Sequence, residues 1–184
     1  LSALKLARRH LPSDAQGSLM LTGPVGSAWA SEEEVRAVRE GLGEGVGLDL
    51  WRGDQARASR LGSREVEARY VHFALPCRLD ARVPARGTLR WGDGETGALA
   101  SLMDVQWSNT DLVVLAQCQS GLDGSGLEYL SLARSVLRGG AGAIVTSLWA
   151  TEPAPRAWFV RELYAGLARR EDRFLAVANA QRRA

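Results

Sequence analysis

The stretch Asp111-Leu-Val-Val-Leu-Ala-Gln-Cys-Gln-Ser-Gly121 constrains this chain more than any other. Five consecutive apolar residues, Leu112 to Ala116, follow Asp111 and give way to polar residues leading to Gly121. A strand wet on one face alternates apolar and polar side chains, whereas one covered on both faces carries an unbroken apolar run. The run therefore predicts a central strand of a parallel sheet. It ends in Gln117-Cys118, which puts a thiol at the carboxyl end of the strand. That is where open α/β sheets place their ligands and chemistry. The chain has two cysteines and two histidines, so cysteine chemistry has few residues to draw on.

The rest of the chain alternates strands and helices around this run. Ser18 to Thr22 reads as a first strand, closed by Gly23-Pro24. Ser31-Glu-Glu-Glu34 has capping-box spacing, and Val35, Val38 and Leu42 mark the buried side of a helix ending at Gly43. Gly47 to Trp51 reads as a second strand, and Asp54 to Glu67 as mostly helical with an interruption near Gly62. Arg69 to Leu75 is a third strand, apolar on both faces and stopped by Pro76. Thr88 to Trp91 and Gly97 to Ala100 flank Asp93-Gly94 as a peripheral hairpin, and a short helix is expected from Leu102 to Trp107. Leu127, Leu130, Ala133 and Leu137 recur at helical spacing before Gly139-Gly140. Ala143 to Leu148 is another buried strand. Pro153 and Pro155 open a long helix bearing Trp158, Phe159, Leu163, Tyr164 and Leu167, and a terminal helix spans Phe174 to Ala178. Residues 1–17 form a lead-in or the end of a preceding module, and residues 18–184 one α/β domain with a mostly parallel sheet.

Composition removes several functions. The net charge is +2, and the arginines are scattered rather than gathered into a basic stripe, so nucleic acid is not an expected partner. No apolar run approaches the roughly 18 residues of a membrane span. Two cysteines are too few for a disulfide framework and favour a reducing cytoplasm. The chain opens on Leu1 rather than Met, which suggests a piece of a longer parent. No cofactor or metal is expected. Gly139-Gly-Ala-Gly142 precedes a strand rather than a helix, the wrong context for a phosphate loop. Two cysteines without a nearby second histidine make a poor zinc set.

Three blocks carry a resemblance. Val71-His-Phe-Ala-Leu-Pro-Cys77 is similar to a strand end reading His-Phe-Ala-Thr-His-Gly. Leu115-Ala-Gln-Cys-Gln-Ser-Gly121 is similar to Leu-Ser-Ala-Cys-Glu-Thr-Gly. Gly140 to Trp149 resembles an Ala-Gly-Ala block ending in Ser-Leu-Trp, and Phe159-Val-Arg-Glu-Leu-Tyr164 the helix after it. In this order and spacing they resemble the CHAT family, caspase-like domains of the cysteine peptidase clan that also holds caspases and separases. The resemblance implies a caspase-like three-layer sandwich, a mostly parallel central sheet flanked by helices. It implies that Cys118 occupies the nucleophile position. It also places Pro76 where the family carries its catalytic histidine, and Cys77 where it carries the glycine of the oxyanion hole. His72 matches the family's first, non-catalytic histidine.

A cysteine peptidase needs a thiolate to attack and a proton donor for the departing amine. Proton transfer by a positioned side chain is worth about 10²–10⁴-fold, and proline has no proton to give. The favoured reading is a CHAT-like domain without peptidase activity, serving as a regulatory, scaffold or partner-binding module for a protein or peptide. The alternative is an active cysteine endopeptidase in which His72, or a residue supplied by a partner subunit, acts as base. Cys118 follows His72 by 46 residues (118 − 72), close to the roughly 50 of a caspase-type pair. Against it, His72 lies inside its strand between Val71 and Phe73, where a hydrogen-bonded core histidine is expected. His10 reaches the site only by folding back. Cys118 itself also fits a buried, inert thiol, and an unrelated α/β binding domain is a third reading. Cys77 and Cys118 end adjacent strands and approach in space; a disulfide or redox pair stays open, although cytosolic pairs are usually reduced. Asp123 and Glu128, beyond Cys118, could face a basic substrate side chain or stand as solvated loop acids. Trp149 matches the family, and the other five tryptophans are candidates for the core or for a partner surface.

Overall fold

The computed structural model describes residues 17–24, 32–62, 66–78, 87–119, 133–134, 136–147 and 151–183, with backbone alone at Cys118 and Gln119. In chain order the elements are β1 (Ser18–Thr22), α1 (Glu32–Leu42), β2 (Leu48–Arg52), α2 (Ala58–Gly62), β3 (Tyr70–Ala74), β4 (Cys77–Arg78), β5 (Thr88–Arg90) and β6 (Thr96–Ala98). They continue with β7 (Leu112–Leu115), β8 (Cys118–Gln119), β9 (Ile144–Thr146), α3 (Pro153–Ala168) and α4 (Arg173–Arg183). Five strands form one sheet in the order β2-β1-β3-β7-β9, and every pairing in it is parallel. The expected parallel α/β architecture is present, and it is consistent with a caspase-like fold.

β1, β3 and β7 are buried at every residue, as their largely apolar sequences predict, and Ser18, Thr22 and His72 are the polar side chains buried with them. Alternation then divides their side chains between two cores. Leu19, Leu21, Val71, Phe73, Val113 and Leu115 enter one core, which is filled by Trp51, Leu61, Trp91, Leu102 and Trp107. Phe73 meets Trp91 and Trp107 edge-on, with centroids 6.4 and 6.3 Å away. Met20, Tyr70, Ala74, Leu112 and Val114 enter the opposite core, beneath Val35 and Val38 of α1, Leu163 and Tyr164 of α3, and Ala176 and Ala180 of α4.

Three boundaries differ from the sequence expectation. The stretch from Asp54 to Glu67 is helical among its described residues only at the 3₁₀ turn Gly53–Gln55 and in the short α2. The helix expected from Leu102 to Trp107 is a 3₁₀ turn over Leu99–Met103. Trp107 lies beyond it, fully buried, with Nε1 donating to the Leu102 carbonyl at 3.0 Å. Third, the central strand does not run through to Cys118. β7 stops at Leu115, a turn takes Ala116-Gln117, and Cys118 starts β8 in a second sheet ordered β6-β5-β4-β8. The same break separates β3 from β4, where Pro76 supplies no N–H to continue a ladder. The hairpin at Asp93-Gly94 is present as antiparallel β5 and β6, with Gly94 at φ 91°.

α1 and α3 cross closely at Gly41. A Cβ there would lie 2.5 Å from the Arg161 carbonyl oxygen and 2.8 Å from the Tyr164 Cβ. Alanine normally improves a helix interior by about 1 kcal/mol over glycine, but here the neighbours are backbone and a Cβ that cannot swing aside. Gly41→Ala is expected to destabilise the fold by about 1–3 kcal/mol, read as a lower urea midpoint with an unchanged m-value. A rise in the midpoint would contradict the close crossing.

Candidate functional site

The candidate site lies at the carboxyl end of the parallel sheet, where β3 and β7 hand over to β4 and β8. Pro76 is half-buried at the first junction, and its carbonyl accepts the Arg90 N–H at 2.9 Å. Cys77 follows, 4% exposed, and its N–H donates to the Gln117 carbonyl at 3.5 Å. β4 and β8 pair in parallel with Cys77 opposite Cys118 and Arg78 opposite Gln119. The two cysteines thus stand as neighbours in the ladder, as their places at the ends of adjacent strands suggested. Cys77 is disulfide-bonded.

Behind this junction, on the α1/α3 side of the sheet, lies a buried polar network centred on Glu34. Its carboxylate is 1% exposed and faces donors from three other segments. Oε1 is 2.6 Å from His72 Nε2. Oε2 accepts from Arg156 Nε at 3.0 Å and from Gln117 Nε2 at 3.2 Å. An ionised carboxylate can only accept, and toward one His72 donates through Nε2–H. In the neutral ring Nδ1 then accepts the Tyr164 hydroxyl proton, across 3.1 Å. Arg156 also donates from Nη1 to the Thr151 carbonyl at 2.9 Å, which fixes its head at the start of α3.

His72 is therefore 1% exposed with both ring nitrogens engaged, by Glu34 and by Tyr164. Gln117, the residue before Cys118, is held from two sides: its carbonyl takes the Cys77 N–H and its side chain reaches Glu34. The structure brings Gln117 and the Pro76-Cys77 junction together at one end of the sheet, and leaves His72 at the middle of β3, joined to Gln117 through Glu34. His10, Asp123, Glu128, Trp29 and Trp149 lie outside the described residues, as does Ser31 of the capping box, and the Cys118 side chain is not described. Glu34, Tyr164, Arg156 and Gln117 had no functional assignment from the sequence. Glu34 read as a helix cap, although its spacing to Ala37, Val38 and Gly41 places it on the face α1 buries. A separate cleft of about 780 Å³ opens at the other end of the sheet, at the amino ends of β1 and β2, lined by Ser18, Asp49, Trp51 and Arg60 among others.

Two outcomes follow from the network. Removing one member of a buried charged pair leaves the other unpaired, so Glu34→Ala is expected to cost about 3–5 kcal/mol, read from chemical denaturation. A loss below about 1 kcal/mol, the range of exposed pairs, would mean that the carboxylate is solvated. The second outcome concerns Tyr164. Burial first, then the charge of Glu34 and the nearby Tyr70, push its hydroxyl far above the ordinary tyrosine range. Tyr70 is raised as well, chiefly by burial. An unfolded tyrosine ionises near about pH 10 while the folded one keeps its proton, so this stability is whole below about pH 10 and drains as pH rises further. Tyr164→Phe should flatten that alkaline decline, seen by comparing urea midpoints at about pH 8 and about pH 11 with wild type. An unchanged slope would show that Tyr164 ionises in the folded state as it does in the unfolded chain.

The all-parallel five-stranded sheet packed with helices agrees with the caspase-like fold that the resemblance implies. A family model described as CHAT domain matches residues 7–184. No curated protein matches the chain significantly. Because the matched region takes in both motif strands, the junction between the two sheets and every described helix, the chain belongs to the CHAT domain family, with a caspase-like fold.

Proposed function

We propose that this CHAT domain does not cleave peptides and that it serves as a regulatory, scaffold or partner-binding module for a protein or peptide. The observation that carries this reading is Pro76, which stands where the family pattern has its catalytic histidine and offers neither a base nor an N–H. The surroundings of His72 support it. A general base needs a nitrogen free to take the nucleophile's proton, and both of His72's nitrogens are held inside the core by Glu34 and Tyr164. Cys77 supports it again. In the oxyanion position of the pattern stands a residue with a Cβ, buried and covalently tied through its sulfur.

What survives of the site is a shaped edge. β4 and β8 close the end of the sheet, and the network beneath keeps the residue before Cys118 in place. Such an edge suits recognition of a polypeptide better than its hydrolysis.

The test is a fluorogenic peptide library screened with the protein kept under reductant, so that both thiols are free. No turnover above a Cys118→Ala control is the expected result. Any peptide whose cleavage disappears in Cys118→Ala would sink the reading and return the domain to the active endopeptidases.

A further inference from the structure

The chain's two cysteines stand as Cα partners in the ladder of β4 and β8. Adjacent strands run about 4.8 Å apart, within the span of roughly 4.4–6.8 Å that a disulfide bridges between Cα atoms. Cys77 is disulfide-bonded, and the sequence offers it no other cysteine than Cys118. We propose that Cys77 and Cys118 form a reversible disulfide, a redox couple built into the candidate site, which removes the thiol from the nucleophile position when oxidised and restores it when reduced.

The composition makes such a bridge conditional rather than permanent. A near-neutral chain with only two cysteines lacks the disulfide framework of secreted domains. In a reducing compartment a single pair is typically transient and redox-sensing. The oxidant is a low-molecular-weight disulfide of the glutathione type. The Cys118 thiolate attacks one of its sulfurs, forming a mixed disulfide and expelling one glutathione thiolate. Cys77, buried and opposite in the ladder, then attacks the Cys118 sulfur and expels the second. Two protein thiols are oxidised, one glutathione disulfide is reduced, and the two thiol protons pass to the two glutathiones. Excess reduced glutathione reverses both steps.

The oxidised bridge couples β4 to β8, and through them the ends of β3 and β7, by a covalent bond as well as by the ladder. In the reduced state the ladder alone holds them. A partner that reads this edge therefore meets two forms of it. The bridge follows from strand register and does not depend on whether peptidase activity has been lost; only its consequence for the nucleophile position uses the family pattern.

The experiment is a redox titration of the intact chain in glutathione buffers, quenched with an alkylating reagent under denaturing conditions and read by mass spectrometry. The expected result is a cooperative passage from two alkylated cysteines to none, with no disulfide-linked dimer on a non-reducing gel. The oxidised form should also unfold on the order of 10 °C above the reduced form. Cys77→Ser should trap a glutathione adduct on Cys118, whereas Cys118→Ser should react slowly. Two free thiols in excess glutathione disulfide, a linked dimer, or faster adduct formation at Cys77 would each overturn the proposal. The wild-type titration stands even where a serine variant folds poorly. Failure of the non-hydrolytic reading would appear elsewhere, as peptide turnover by the reduced protein.

Discussion

The Glu34 carboxylate is the charge around which the rest of this structure has to be arranged. Placing an ionised group at 1% exposure costs several kcal/mol in lost hydration, and the fold recovers that cost only if donors converge on it. They come from β3 through His72, from α3 through Arg156 and from the turn before β8 through Gln117. Glu34 also sits in the first turn of α1, where the helix dipole favours negative charge. Apolar packing between α1, α3 and the sheet would tolerate a range of helix positions. The carboxylate does not: sliding α1 by one turn would leave a charge in the apolar core and three donors without their acceptor. The ion pair thus selects one helix position, and the close crossing at Gly41, where backbone of α3 fills the space of a side chain, depends on the same position.

This also explains why the network reaches the site without forming one. Its members face the α1/α3 side of the sheet, and its outermost contact is the Gln117 side chain. From there the backbone passes directly into β8. The effect is to anchor the residue before Cys118 to a rigid helix. It gives the sheet edge a fixed shape, with Cys77 N–H and Gln117 carbonyl joining the two junctions.

The sheet was legible in the sequence because burial on both faces leaves a local trace. Leu19 to Leu21 and Leu112 to Leu115 are apolar runs that few other environments accept, and the turn residues Asp93-Gly94 place the hairpin. The end of the central strand was less legible, since nothing in Ala116-Gln117-Cys118 marks a switch from one sheet to another. The switch is made by partners distant in sequence, β4 on one side and β5 beyond it. Glu34 was illegible for a different reason. Three successive glutamates at a helix start satisfy the dipole rule wherever they point, and only helical phase with Ala37, Val38 and Gly41 singles out the third as buried. His72 read correctly as a residue inside its strand, but its partners lie 38 and 92 residues away and leave no local mark.

On the reading proposed above, the two departures from the family pattern at the first junction are adjacent, and each substitutes a structural property for a chemical one. Proline in place of histidine removes the proton carrier, but its fixed φ and missing N–H also enforce the break between β3 and β4. Cysteine in place of glycine puts a side chain beside the oxyanion position, but it also supplies the one atom that a glycine lacks for bonding across the ladder to Cys118. A single loss of the histidine would leave a free thiol opposite a glycine, with nothing to constrain it. With both changes the same two strand ends hold a rigid turn and a covalent partner for the sulfur. On the proposed reading the pair of substitutions is therefore more coherent as a conversion of the site than as its decay: the strand end given to histidine and glycine in the family pattern here places Cys77 opposite Cys118 in the ladder.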